Sequence, residues 1–87
     1  MRGVANKCVA DQCRDMGLKV GDTIVGREGS SDNWYEAELT LLWLGETEAM
    51  WLSRQRRGRF DTVGKWHGPQ ESSGWDLSDR DWEKVPA

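Results

Sequence analysis

From Asn33 onward, apolar and polar residues alternate. Tyr35, Ala37, Leu39, Leu41 and Trp43 fall on one side of an extended chain, and Glu36, Glu38 and Thr40 on the other. A period of two marks a strand with one face in a core. Gly45-Glu46-Thr47 then supplies a short polar turn. On the return, Ala49 and Trp51 share one face, and Met50 and Leu52 the other. The pattern predicts a long β-hairpin from Asn33 to Arg56. Beyond Thr40 the alternation fails, because Leu41, Leu42, Trp43 and Leu44 are all apolar. Either the N-terminal segment covers both faces there, or one face stays open to a partner.

The flanking segments read as smaller elements. Val4, Cys8, Val9, Cys13 and Met16 gather on about one half of a helical wheel, and Gly17-Leu18 is a helix-stop pair. A helix over Val4–Met16 is marginal alone and needs a surface to lie on. It closes one end of a barrel or serves as a partner-binding arm. Leu18 to Arg27 predicts a first strand, with Gly21-Asp22 as a bulge or sharp bend. Glu28–Asn33 is a polar loop. Val63 and Trp66 mark a short fourth strand, and His67-Gly68-Pro69 a turn. Ser78 is placed to cap a single helical or 3₁₀ turn, and Trp82, Val85 and Pro86 to form a last strand or a tail laid back on the barrel. The expected fold is mainly β: one domain, residues 1–87, with an N-terminal helix over 1–17 and a small five-stranded barrel over 18–87.

Composition sharpens this picture. A chain of 87 residues buries only about 60–65% of its unfolded surface, so its core must be economical. Six tryptophans help, because they are spread along the chain and can meet across strands. Trp43 and Trp51 are the ones expected inside. The net charge of −3 argues against nucleic-acid binding by bulk charge. Cys8 and Cys13 read as two reduced thiols; with one histidine, His67, they are too few for a structural zinc site. No cofactor is expected. The apolar run Leu41–Leu44 is too short to span a bilayer, no signal peptide is visible, and the expected location is the cytoplasm.

Chemistry is sparse. The single histidine lies in a Gly-Pro turn, Glu36 and Glu38 read as the wet side of a sheet, and no phosphate loop or dinucleotide fingerprint occurs. The inventory points away from an enzyme. One run stands out: Arg54-Gln55-Arg56-Arg57-Gly58-Arg59 holds four of the twelve basic residues, flanked by Phe60 and Trp66. Interfaces favour Trp, Tyr and Arg anchors, so the candidate contact residues are Trp34, Tyr35, Arg54, Arg56, Arg57, Arg59 and Trp66. A protein partner is the favoured reading. Arginines between aromatics also suit single-stranded nucleic acid. An aromatic cage for a modified cation needs three converging rings, and mimicry of nucleic acid by the acidic face ranks last. An uncovered Leu42–Leu44 edge would favour a dimer.

The order of elements resembles a Src-homology-three-like barrel. Asn33-Trp34-Tyr35-Glu36-Ala37-Glu38-Leu39 resembles the second strand of Tudor and Agenet modules, without their further cage aromatics at recognisable places. The texture of Gly17–Glu28, Glu36–Glu46 and the Glu71–Leu77 segment is similar to short reading frames of temperate bacteriophages. That resemblance implies a phage or prophage accessory protein, of a kind that often binds and blocks host machinery, including antiviral defence.

Overall fold

The computed structural model describes residues 7–86. Helix α1 (Val9–Asp15) precedes six strands: β1 (Thr23–Gly29), β2 (Asn33–Leu44), β3 (Ala49–Arg59), β4 (Thr62–Val63), β5 (His67–Ser73) and β6 (Trp82–Lys84). All pairings are antiparallel, in the order β4-β3-β2-β1-β6, with β5 also on β3. The fold is therefore mainly β, and the sheet curls into a half-barrel. The β2–β3 hairpin is its spine, in register from Asn33↔Arg59 to Leu44↔Ala49. Ile24, Leu39, Leu41, Ala49 and Trp51 line the concave face, and Cys13 from α1, Leu18 just after the helix and Leu77 from the C-terminal segment complete the core.

The hairpin carries one departure from its expected pattern. A β-bulge between Leu41 and Trp43 leaves Leu42 without a partner and sets Trp43 opposite Met50. An extra residue reverses the alternation after it. Trp43 thus turns to the convex face and is 53% exposed, whereas Trp51 is fully buried. The expectation of a core Trp43 is overturned for that reason. One face of Leu41–Leu44 is covered and the other is open: Leu41 is buried and Leu44 packs on the core, while Leu42 and Trp43 face outward.

Other elements shift too. The helix starts at Val9, with Cys8 extended at its N-cap; Val4 lies outside the described residues. Its stop is as read, with Gly17 at φ +70° and the Leu18 N–H bonded to the Cys13 carbonyl. Leu18–Asp22 forms a turn rather than a strand, closed by the Asp22 N–H on the Lys19 carbonyl and the Lys19 N–H on the Asp22 carboxylate. Strand β1 begins only at Thr23 and continues through Gly29, which shortens the following loop. Residues 67–73, read as a turn and polar linker, form β5 and raise the expected five strands to six. Its residues are nearly all exposed, so no apolar alternation announced it. Around Ser78 the cap is reversed: Asp76 accepts from the Ser78 N–H at 2.9 Å and its hydroxyl at 2.7 Å, and a turn forms there instead of a 3₁₀ helix.

Polar clasps fasten the pieces. The Gln12 amide donates to Asp76 at 3.1 Å and accepts from the Leu77 N–H at 2.8 Å, tying α1 to the C-terminal segment. Arg14 donates to the carbonyls of Gly45 and Glu46 at the hairpin tip. Hydrogen bonding from the Lys19 N–H, then from Lys84, holds the Asp22 carboxyl below its ordinary range. The Ser78 N–H and hydroxyl, then Gln12, do the same for Asp76. A carboxyl lowered in the folded state adds stability that is complete above its unfolded pKa, about 3.9, and is lost as pH falls through the folded value. Thermal stability should therefore fall below about pH 4. Asp22→Asn should start from a lower plateau and show a shallower acid limb. Melting curves from neutral to strongly acidic pH test this, and parallel limbs would remove Asp22 from the account.

Candidate functional site

Strand alternation divides the seven candidate residues between two faces. The convex face takes Trp34, Arg54 and Arg56, with Trp66 packed against the two arginines. A Cβ at Gly58, directly across from Trp34, would overlap the indole. Only glycine lets that ring lie against β3. Arg27 covers it with its guanidinium 3.7 Å from the ring centroid. Trp34 is consequently only 7% exposed, although it sits on the outside of the sheet.

The arginines beside it are already engaged. Arg56 Nε meets Glu36 Oε1 at 2.6 Å, and Arg27 approaches the other oxygen of the same carboxylate at 3.6 Å. Arg54 takes Glu38 in a two-pronged contact at 2.6 and 3.2 Å, which raises the Arg54 pKa. Trp66 lies 4.5 Å from the Arg56 guanidinium carbon and 4.7 Å from that of Arg54. The result is a cross-strand ladder of carboxylate, guanidinium and indole. Each guanidinium is matched to a carboxylate of the neighbouring strand, Arg54 through two nitrogens and Arg56 through Nε, so a carboxylate or phosphate from outside would have to compete with a charge-assisted pair. This row reads as a structural seal of the convex face.

The other candidates gather at the far end of the hairpin. Tyr35 and Arg57 are cross-strand partners on the concave side, beyond the core, with the guanidinium carbon 5.2 Å from the phenol ring. Arg57 Nε donates to Asn33 Oδ1 at 3.2 Å, which fixes its plane. Arg59 stands 5.8 Å from the ring of Phe60. Phe60 occupies the turn into β4 at φ +56°, which bulky side chains rarely adopt, and is 68% exposed. Lys65 follows Gly64, whose N–H bonds the Arg57 carbonyl at 2.8 Å. Among the described residues, the basic side chains outside any ion pair are Lys19, Arg57, Arg59 and Lys65, and three of these four lie at this one end. The basic run is thus two structures: Arg54 and Arg56 are neutralised, and Arg57 and Arg59 are available.

A third cluster was not foreseen. Arg80 enters between Trp75 and Trp82, with its guanidinium carbon 5.0 Å from one ring and 5.8 Å from the other. The two indoles meet edge to face, 6.1 Å apart. Asp79 accepts from the guanidinium at 3.0 Å, and Glu28 forms an ion pair with it at 3.2 Å. With Arg56, whose guanidinium carbon lies 4.5 Å from the Trp66 ring and 5.8 Å from the Trp34 ring, this is the nearest approach to an aromatic cage among the described residues. Each has two rings rather than three, and the chain's own arginine fills it. A cage for an external cation is not carried by this geometry. The only hint in the sequence is a cation lying between two tryptophans, and nothing in the surrounding charged run says which cation turns inward.

Among the described residues no group of His, Cys, Asp and Glu is arranged to hold a metal ion. His67 is exposed at the start of β5, opposite Gln55. Both cysteines are free; Cys13 is buried, which pushes its thiol up, and Cys8 is half-buried. A shallow depression of about 220 Å³ lies between β1 and β6, rimmed by Arg27, Glu36, Asp81 and Glu83. No described helix is long and apolar enough to cross a membrane. No protein-family model, curated protein or solved structure matches the chain.

Proposed function

We propose that the chain is a non-enzymatic protein-binding module on a Src-homology-three-like small barrel. In this reading it is a phage-encoded accessory protein that acts in the bacterial cytoplasm by blocking a host complex, with antiviral defence machinery the first place to look. One observation carries the binding role: the paired Tyr35–Arg57 and Phe60–Arg59 side chains stand exposed at one end of a rigid hairpin. Aromatic and arginine side chains held in place are the usual anchors of protein interfaces. The barrel reading is supported by the β1–β2–β3 meander and by the return of the last strand to β1. It departs from that plan in β5, an added strand on β3.

Affinity capture from host lysate with mass spectrometry tests the role. The wild-type chain should retain a defined partner, and Tyr35→Ala/Phe60→Ala should weaken its capture by about a hundredfold or more while keeping its fold, since each anchor is worth about 2 kcal/mol. Equal capture by the double variant would move the contact surface elsewhere.

A further inference from the structure

We infer that the Tyr35/Phe60 end of the sheet takes an acidic segment of a protein partner, whose carboxylates are received by Arg57, Arg59 and Lys65. The inference rests on the protein-binding reading above and adds the chemistry of what binds. The chain is acidic overall, with a net charge of −3, yet three of its four described unpaired cations belong to this end of the hairpin and the loop bonded to it. Arg57 is preset for a carboxylate. Tyr35 supports one side of its guanidinium and Asn33 occupies Nε, so the two terminal nitrogens remain free as a fork. Glu28, on the strand next to Tyr35, is the carboxylate nearest in register, and it is taken by Arg80. Exposed Phe60 adds apolar surface for a side chain next to the partner's acids.

A nucleic acid suits the same surface less well. Three cations would release few counterions, giving a salt slope of about −2 on a single strand. Asp32, whose carbonyl accepts the Phe60 N–H at 2.7 Å, and Asp61 lie in the adjoining loops. Their carboxylates repel a continuous phosphodiester chain, whereas a short acidic loop can place its charges between them.

The test titrates ¹⁵N-labelled protein with a short poly-glutamate peptide and, separately, with an oligothymidylate of equal charge, at low and at physiological salt. The peptide should shift the amides of Tyr35, Arg57, Arg59 and Lys65. Arg57→Gln/Arg59→Gln/Lys65→Gln should weaken it by about tenfold or more, and Lys19→Gln, which removes the unpaired cation elsewhere, should leave it unchanged. Tighter binding of oligothymidylate than of peptide would overturn the inference in favour of nucleic acid. Absence of shifts with either probe would overturn it outright. The lysate experiment separates this failure from that of the module itself. If the triple variant still captures the partner that Tyr35→Ala/Phe60→Ala loses, the acidic segment is wrong and the protein contact stands. Loss in both supports the two together.

Discussion

Trp51→Ala should abolish the cooperative unfolding transition at physiological temperature, while Trp43→Ala should melt within a few degrees of the wild type. Trp51 is fully enclosed by the concave face, among Leu39, Leu41, Ala49 and Ile24. Truncating a buried tryptophan costs about 3–5 kcal/mol in lost transfer energy and residual cavity. A domain of this size has a total stability of about 4–13 kcal/mol, so the loss takes a large share of it. Trp43 directly follows the bulged Leu42 and lies on the outside, where truncation is worth about 0.5 kcal/mol or less. Trp51→Phe separates volume from hydrogen bonding. The Trp51 indole N–H has no partner among the described residues, so phenylalanine gives up ring volume and no bond, and should retain a cooperative fold. Near-ultraviolet circular dichroism and thermal melts read all three variants. Equal effects at the two tryptophans would mean that the alternation runs unbroken through Leu42 and that both rings are inside.

That pair of residues shows where the sequence was legible. Alternation from Tyr35 to Leu41 placed the hairpin and its core face, because a period of two leaves a regular trace in residue types. The same rule extended to Trp43 failed: a bulge is one unpaired backbone residue, and Leu42 looks like any other apolar strand residue. Strand β5 was illegible for the opposite reason. It contributes Ser72, whose hydroxyl meets the buried Ser53 hydroxyl at 3.0 Å, but little apolar surface. Its pairing is made by the backbone, which the sequence does not display. The turn at Leu18–Asp22 depends on the Asp22 side chain capping Lys19, a contact that competes locally with extended backbone.

The candidate site was legible as a composition and not as a surface. The run Arg54–Arg59 was visible at once, but its division needed the register that sets Glu36 opposite Arg56 and Glu38 opposite Arg54. Those acids were read as the wet side of a sheet, and they are what engages two of the four arginines in ion pairs. Trp34 was read as a contact anchor because interfaces favour tryptophan. Gly58, across the hairpin, is what turns it into a sealed ring. Phe60 flanks the basic run in the sequence, yet its exposure follows from the turn into β4 rather than from its neighbours.

Arg80→Ala should lower stability by about 2–3 kcal/mol, a large effect for a charged residue near the C-terminal end. Its side chain is only 7% exposed. The aliphatic stem runs over Gly26, where a Cβ would stand 2.8 Å from Arg80 Cδ and 2.7 Å from the Trp82 ring. Packing and charge make different forecasts here. The carboxylates Glu28 and Asp79 keep 46% and 40% of their surface, so both can rehydrate when the guanidinium leaves, and no charge is stranded. The larger loss is the stem and the plane held between two indoles. Arg80→Met should therefore restore more than half of what alanine loses, and the hydrogen-exchange protection of β6, paired with β1 through Gly26↔Trp82, should recover with it. Methionine as damaging as alanine would assign the stability to the ion pairs instead. The same variant bears on the proposed contact surface. With Arg80 neutral, Glu28 loses its partner one strand from Tyr35 and two from Arg57. A free carboxylate there lowers the local positive potential, so Arg80→Met should weaken poly-glutamate binding while leaving the fold intact. Binding unchanged in a folded Arg80→Met chain would show that Glu28 has no influence on the Arg57 end.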